Sequence, residues 1–195
     1  MSFLKKRNTI YVFIDASNVW SVVKSKKQFI EYKNIKKYFS KKFNTDDIKI
    51  FYYDSYPENG TREYSLEGKH KFYTYLKKGL GFVVRKKPLK RINTAIDGLG
   101  EIIKEKGNMD VEITIDAVHY LNKYNGAVFF TGDCDFLALV TYIRNASKKV
   151  YIYSTTDNIS RELRTGGDGY VDIKKIDEIW GKELKHRIIN KNSPQ

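Results

Sequence analysis

Two short apolar runs constrain the fold of this chain more than any other feature. "TIYVFID" (9–15) and "GAVFFTG" (126–132) are rich in β-branched and aromatic residues, and acids stand at their exits, Asp15 and Asp133. Such runs read as buried strands. "DIKIFYYDSY" (47–56), "GFVVRKKPL" (81–89, stopped by Pro88) and "KKVYIYS" (148–154) add three more, and "VDI" (171–173) is a candidate edge strand.

Helical patterns alternate with these runs. Residues 17–43 show helical periodicity with a break near Lys26–Lys27, and 61–79 reads as a helix ending at Gly79. "MDVEITIDAVHYLNKYN" (109–125) is expected to be helical despite its β-branched residues, with Val111, Ile115 and Val118 forming one apolar face. Residues 135–147 are the next helix, and 158–170 a short helix entering a glycine-rich turn. The segment from Lys90 to Asn108 fits an extended excursion or hairpin. Strands alternating with helices imply a three-layer α/β/α sandwich around a mostly parallel, Rossmann-like sheet. The expected order of the first five strands is about 3-2-1-4-5. One domain over 1–182, followed by a basic, frayed tail over 183–195, is the simplest organisation.

The charge favours a polyanionic partner. Lys and Arg number 36 against 23 Asp and Glu, a formal net charge of +13 in 195 residues. A lysine-rich coding bias is the bland alternative. The single cysteine, Cys134, excludes an intramolecular disulfide, and three scattered histidines (His70, His119, His186) offer no zinc spacing. No apolar run approaches the ~20 residues of a membrane helix. The N-terminus lacks the apolar region of a secretory leader, so no membrane contact and a cytoplasmic location are expected.

In an open α/β sheet, sites form at the carboxyl ends of strands where the strand order reverses. Asp15 ends the first strand, and Asp133 and Asp135 follow the fourth. Asp110 begins a helix that runs antiparallel to the strands, so its start lies at the same edge. Four acids from three distant segments are therefore expected to converge. Each has an ordinary alternative: Asp110 as a helix cap, Asp133 or Asp135 as another, Asp15 as a turn residue. Asp116 lies six residues beyond Asp110, about 9 Å along the helix and on a face with Glu112 and His119. It reads as a supporting group or a plain solvated residue. Aspartates without histidine or thiol select a hard cation, Mg²⁺ or Mn²⁺, and such sites suit phosphodiester chemistry. "RKKPLKR" (Arg85 to Arg91) is either a solvated loop or a phosphate-backbone contact beside that edge.

In order along the chain, "YVFIDASNVW", "EKGNMDVEITIDAVHY", "FFTGDCDFLALV" and "TTDNISRELRTGGDGYVDI" resemble the blocks of the NYN domain, the LabA-like branch of the PIN-like nuclease superfamily. The resemblance covers roughly Thr9 to Ile173. It implies metal-site roles for Asp15, Asp110, Asp133 and Asp135. It implies an asparagine, Asn18, placed for a metal water or a phosphate, and a later helix acid at Asp116. Ala16 stands where the family has glycine, Asn108–Met109 where it has Gly-Val, and Thr131 and Cys134 where it has serines. Thr131 is expected to orient an acid or a water through its hydroxyl. Cys134, between two acids, is expected to have a raised pKa and to act as a serine stand-in.

A metal-dependent ribonuclease follows from the resemblance, with RNA favoured over DNA, which the residues alone do not separate. A non-catalytic RNA-binding or regulatory module is the alternative. A phosphatase or receiver-like domain is disfavoured, because its D-x-D would stand at the first strand. The oligomeric state is open, a homodimer included.

Overall fold

A computed structural model describes residues 8–58, 60–62, 65–96 and 100–184; the expected frayed tail lies almost entirely outside them. Strand β1 (Ile10–Asp15) is buried along its whole length and occupies the middle of a six-stranded sheet. Helix α1 (Ala16–Lys26) follows and stops where Lys27 turns left-handed, with φ of 58°. That is the break the sequence predicts. The three residues of β2 (Gln28–Ile30) were not anticipated: they pair with β10 (Trp180–Glu183) in a separate ribbon. Helix α2 (Tyr32–Phe43) leads to β3 (Ile48–Tyr56). Helix α3 (Glu67–Thr74) widens into a π turn over Tyr75–Gly79 and then meets β4 (Val83–Pro88).

The segment read as an extended excursion or hairpin is an antiparallel hairpin, β5 (Lys90–Ile96) with β6 (Gly100–Lys106). Helix α4 (Asp110–His119) returns the chain to the sheet centre, where β7 (Gly126–Phe130) lies beside β1. A single 3₁₀ turn, Cys134–Phe136, precedes α5 (Leu137–Asn145). The chain continues through β8 (Lys149–Ser154), α6 (Arg161–Gly166) and β9 (Gly169–Asp172).

The sheet order is β4-β3-β1-β7-β8-β9, with every pair parallel. This is the expected 3-2-1-4-5 with a sixth strand, the "VDI" candidate, added at one edge. Right-handed crossovers that travel outward in opposite directions from β1 put their helices on opposite faces. Accordingly, residues of α1, α2 and α3 pack one core with Ile14, Ile50 and Tyr52. Residues of α4, α5 and α6 pack the other with Phe13, Phe51 and Phe129.

The strand period of two decides where the acids point. Phe13 is aligned with Phe51 and Phe129, and the rings stack at centroid distances of 5.2 and 5.0 Å. Each such ring pair adds roughly 0.5–1.5 kcal/mol beyond its burial. Asp15, two residues beyond Phe13, shares that side of the sheet and so faces the layer built by α4.

The apolar face assigned to α4 needs correction. Val111 and Ile115 are 62% and 60% exposed, and Val118 is exposed too. The buried side carries Ile113, Asp116 and Ala117, with Met109 just before it. Both sets recur at helical spacing, so periodicity alone does not choose between them. The choice falls to the set that includes Asp116, because the sheet supplies that carboxylate with partners.

Candidate active site

The site builds up from the exits of β1 and β7. Asp15 is 3% exposed and caps α1. Its Oδ1 accepts from Ser17 N at 3.0 Å, Ser17 Oγ at 2.7 Å and Asn18 N at 3.5 Å. Its Oδ2 accepts from Asn18 Nδ2 at 2.6 Å. The cap and the site position are thus the same residue: these donors hold the carboxylate in one orientation.

Asn18 joins the two strand exits. While its Nδ2 donates to Asp15, its Oδ1 accepts from Gly132 N at 3.1 Å. Each amide atom keeps one further hydrogen-bonding position. Gly132 is required here for space: a Cβ on it would lie 2.2 Å from the Asn158 carbonyl oxygen and 2.6 Å from Ser154 Oγ. The exit of β7 is therefore clamped between α1 and the loop before α6.

Thr131 is buried, and its Oγ1 accepts from Asp133 N at 3.2 Å. The hydroxyl thereby contacts the backbone that carries the acid. Asp133 in turn caps the 3₁₀ turn, accepting from Asp135 N at 3.0 Å. Possible ligand atoms of Asp133, Cys134 and Asp135 all lie within 4.8 Å of one another. Among the described residues this is the one such group of three or more, and neither Asp15 nor Asp110 is a member of it. Cys134 is an exposed free thiol with Sγ 4.0 Å from Asp135 Oδ1.

Asp110 arrives from the other direction. It is not the cap of α4: that position belongs to Met109, whose side chain caps nothing. Instead Asp110 accepts from the Asn108 amide, so one departure from the family pattern supplies a partner to the acid. Burial, together with the charges of Asp15, Asp133 and Asp135, pushes the Asp110 carboxyl up to about 6, and Lys87 opposes that rise. Asp110 therefore feels all three of the other predicted acids, which arrive from two other segments of the chain.

Asp116 is neither solvated nor part of this group. It is 7% exposed. The Tyr53 hydroxyl donates to its Oδ2 at 2.9 Å, and Arg85 donates Nε to Oδ2 at 3.0 Å and a terminal N–H to Oδ1 at 3.2 Å. Burial and the Asp116 charge hold the Tyr53 phenol far above its ordinary value, so it stays a donor. Tyr53 is aligned with Asp15 on the adjacent strand, so the Asp116–Tyr53–Arg85 unit braces the strand beside the cluster. Neither Tyr53 nor Arg85 was singled out for this. Arg85 sat in the basic run, but nothing in the sequence pairs it with Asp116.

The same geometry corrects the reading of "RKKPLKR". Its first four residues belong to β4 and its last two to β5, rather than to a loop. Arg85 is committed to Asp116, and Lys87 binds both Glu112 carboxylate oxygens at 2.7 and 2.9 Å. The Lys86 ammonium lies over the Tyr73 and Tyr56 rings at 5.0 and 5.5 Å. These cations are engaged within the fold.

The donor set fits a hard divalent cation. It is all oxygen apart from one thiol, and burial together with repulsion from the other acids keeps a proton on Asp110 to higher pH than usual, which a bound dication would oppose. No helix among the described residues is long and apolar enough to cross a membrane.

Comparisons with known proteins agree with this architecture. Low amplitude and bright protein LabA of Synechococcus elongatus is 26% identical over 180 residues, covering 90% of this chain and 88% of LabA. The crystal structure of a protein of unknown function from Vibrio parahaemolyticus superposes with a TM-score of 0.65 at 23% identity, covering 90% of this chain and 98% of that one. That likeness speaks for the fold. Residues 9–174 match the NYN domain from end to end of the sheet. The chain belongs to the NYN domain family, within the PIN-like nuclease superfamily.

Proposed function

We propose that this protein is a ribonuclease that hydrolyses phosphodiester bonds at the carboxyl edge of its sheet with the help of Mg²⁺ or Mn²⁺. The observation that carries the reading is the state of Asp110, whose carboxyl is pushed up by burial and by Asp15, Asp133 and Asp135 together. Like charges brought together from three segments oppose folding, and such clusters mark functional sites. Asp15, Asp110, Asp133 and Asp135 would hold the cation. When bound, it would supply a water of lowered pKa and a charge that steadies the phosphoryl oxygens.

The protein's own groups do the positioning. The Ser17 and Asn18 donors keep Asp15 fixed, Thr131 sets the Asp133 backbone, and Asn18 ties the two strand exits together. Each amide atom of Asn18 retains a position for a water or a phosphate oxygen. The +13 net charge favours RNA encounter, so affinity should fall linearly in log–log terms with added salt.

The test is incubation of labelled RNA and DNA with Mg²⁺, Mn²⁺ or EDTA, alongside Asp133→Asn. Loss of groups that merely support metal ligands costs about 10–100-fold, so Asp133→Asn should lose more than about a hundredfold in cleavage and Asp116→Asn about tenfold. RNA binding by Asp133→Asn should be retained or tightened, since a negative charge is removed near the phosphates. A wild type that binds RNA but cleaves none with either cation would replace the enzyme by a binding module.

A further inference from the structure

A groove of about 740 Å³ opens beside the acidic cluster, between the start of α1, β2, the end of β3 and α3. Its walls are aromatic: Trp20, Phe29, Tyr32 and Phe72 line it. Trp20 and Phe29 are 48% and 43% exposed, although the opposite sides of α1 and β2 are packed. Two large rings facing solvent at one groove are a binding feature rather than a packing one.

We propose that this groove takes an unpaired nucleobase of single-stranded RNA, stacked on Trp20, while the neighbouring phosphodiester lies at the acidic cluster. The assignment rests on the nuclease reading above, and three observations favour a base over an apolar peptide. First, groove and cluster share a residue: Ser17 lines the groove, and its hydroxyl donates to Asp15 at 2.7 Å. Asp54 in the groove also feels the Asp15 charge, so the two sites are contiguous. Second, the groove is not purely apolar. Asp54 and Lys69 line it as an ion pair 3.2 Å apart, with Tyr73 donating to the carboxylate and Lys69 donating to the Ser55 carbonyl. The carboxylate and the ammonium each keep a hydrogen-bonding position for a base edge. Every nucleobase carries donors and acceptors side by side on its pairing edge, and only an unpaired one can show that edge to protein. Third, Lys24 lies one turn beyond Trp20 on α1 and is exposed, where it can meet a backbone phosphate.

Stacking on an aromatic ring tolerates any base, so the groove selects single strands rather than a sequence. A duplex keeps its bases stacked on one another and cannot enter without unpairing.

The test is binding in EDTA, which separates it from cleavage. The probe is an eight-nucleotide single-stranded RNA carrying one 2-aminopurine, compared with the same sequence in a duplex. The single strand should quench tryptophan emission and lose 2-aminopurine emission on binding, and the duplex should do neither. Removing one stacking ring is expected to weaken binding about tenfold, so Trp20→Ala should show that loss, while Trp20→Phe stays within about threefold of wild type. Phe29→Ala, at the opposite rim, should weaken binding in the same direction and guards against a folding defect in Trp20→Ala. Wild-type affinity in both alanine variants, or equal quenching by duplex, overturns the proposal. If that happens while the wild type cleaves RNA with Mg²⁺, the groove assignment falls and the nuclease stands. If the stacking signals appear and no cation supports cleavage, the groove stands as part of an RNA-binding module and the nuclease falls.

Discussion

Asp110 and Asp116 stand on one helix and live in opposite surroundings. Asp116, nearly buried, has two forked bonds from Arg85 and one from Tyr53. Asp110, less buried, feels the charges of Asp15, Asp133 and Asp135, and among the described residues the Asn108 amide and the Lys87 charge work in its favour. A carboxylate moved out of water needs charge or hydrogen-bond compensation. The fold provides it in full at Asp116 and withholds it at Asp110. The difference separates a brace from a site: the first is complete within the chain, and the second is completed by something added.

Breaking the brace should give the largest effect on stability. Arg85→Ala leaves Asp116 buried with a single neutral donor, and breaking a buried pair from one side costs about 3 kcal/mol or more. Arg85 is itself 45% exposed, so water recovers part of that and about 2–3 kcal/mol is expected. Asp116→Asn should cost less, because the freed guanidinium can turn to solvent. Urea unfolding of both variants measures the asymmetry, and equal losses would mean that Asp116 is not the buried partner.

The site should behave in the opposite sense. With the Asp110 carboxyl at about 6 in the folded state and an ordinary value near ~3.9 unfolded, the folded state binds the proton more tightly. The resulting stability is fully present below about pH 4 and lost as pH rises through about 6. Solvent screening at this half-open position reduces the effect to about 1 kcal/mol. In EDTA, Asp110→Asn should therefore be the more stable protein at pH 7.5, and its advantage should vanish by pH 4. Thermal melts across that range measure the difference. Adding Mg²⁺ should raise the wild-type melting temperature at pH 7.5 and do little at pH 5, where the proton competes. No advantage for Asp110→Asn at pH 7.5 would mean that the four acids do not repel as argued.

The smallest expected effect sharpens the same contrast. Lys87 opposes the rise at Asp110, and its charge is shared with Glu112 at 2.7 Å. Lys87→Met should move the Asp110 midpoint slightly further up, since Lys87 is the weakest of the charges acting on it. Carboxyl-carbon NMR titration would detect the shift, and a fall would reverse the assigned sign.

Much of this was legible in the residues. Strand runs ending on acids, a helix beginning on one and the order of the blocks led to the parallel sheet, its central order and the acids at its carboxyl edge. The break at Lys26–Lys27 was readable because a helix must stop before a strand can turn back. Other features were not readable, for reasons that are spatial. Val111, Ile115 and Val118 repeat as regularly as Met109, Ile113 and Ala117, so the helix rotates to the side that the sheet can satisfy. Arg85 and Asp116 are distant in sequence and meet because α4 packs on the sheet face that Tyr53 and its aligned neighbour Arg85 share. Ribbon β2–β10 joins segments from the two ends of the chain, and three residues carry too little pattern to announce a strand.

By itself, then, the sequence determined the kind of sheet, the direction of its strands and the identity of the acids at its open edge, because local periodicity and short-range turn chemistry encode these. Tertiary structure alone decided which acid is compensated and which is left against its own kind. It also decided which aromatic rings line a groove and which basic residues are already spent. Compensation depends on which groups the packed layers bring within a few ångströms of a carboxylate, and spacing along a chain does not contain that distance.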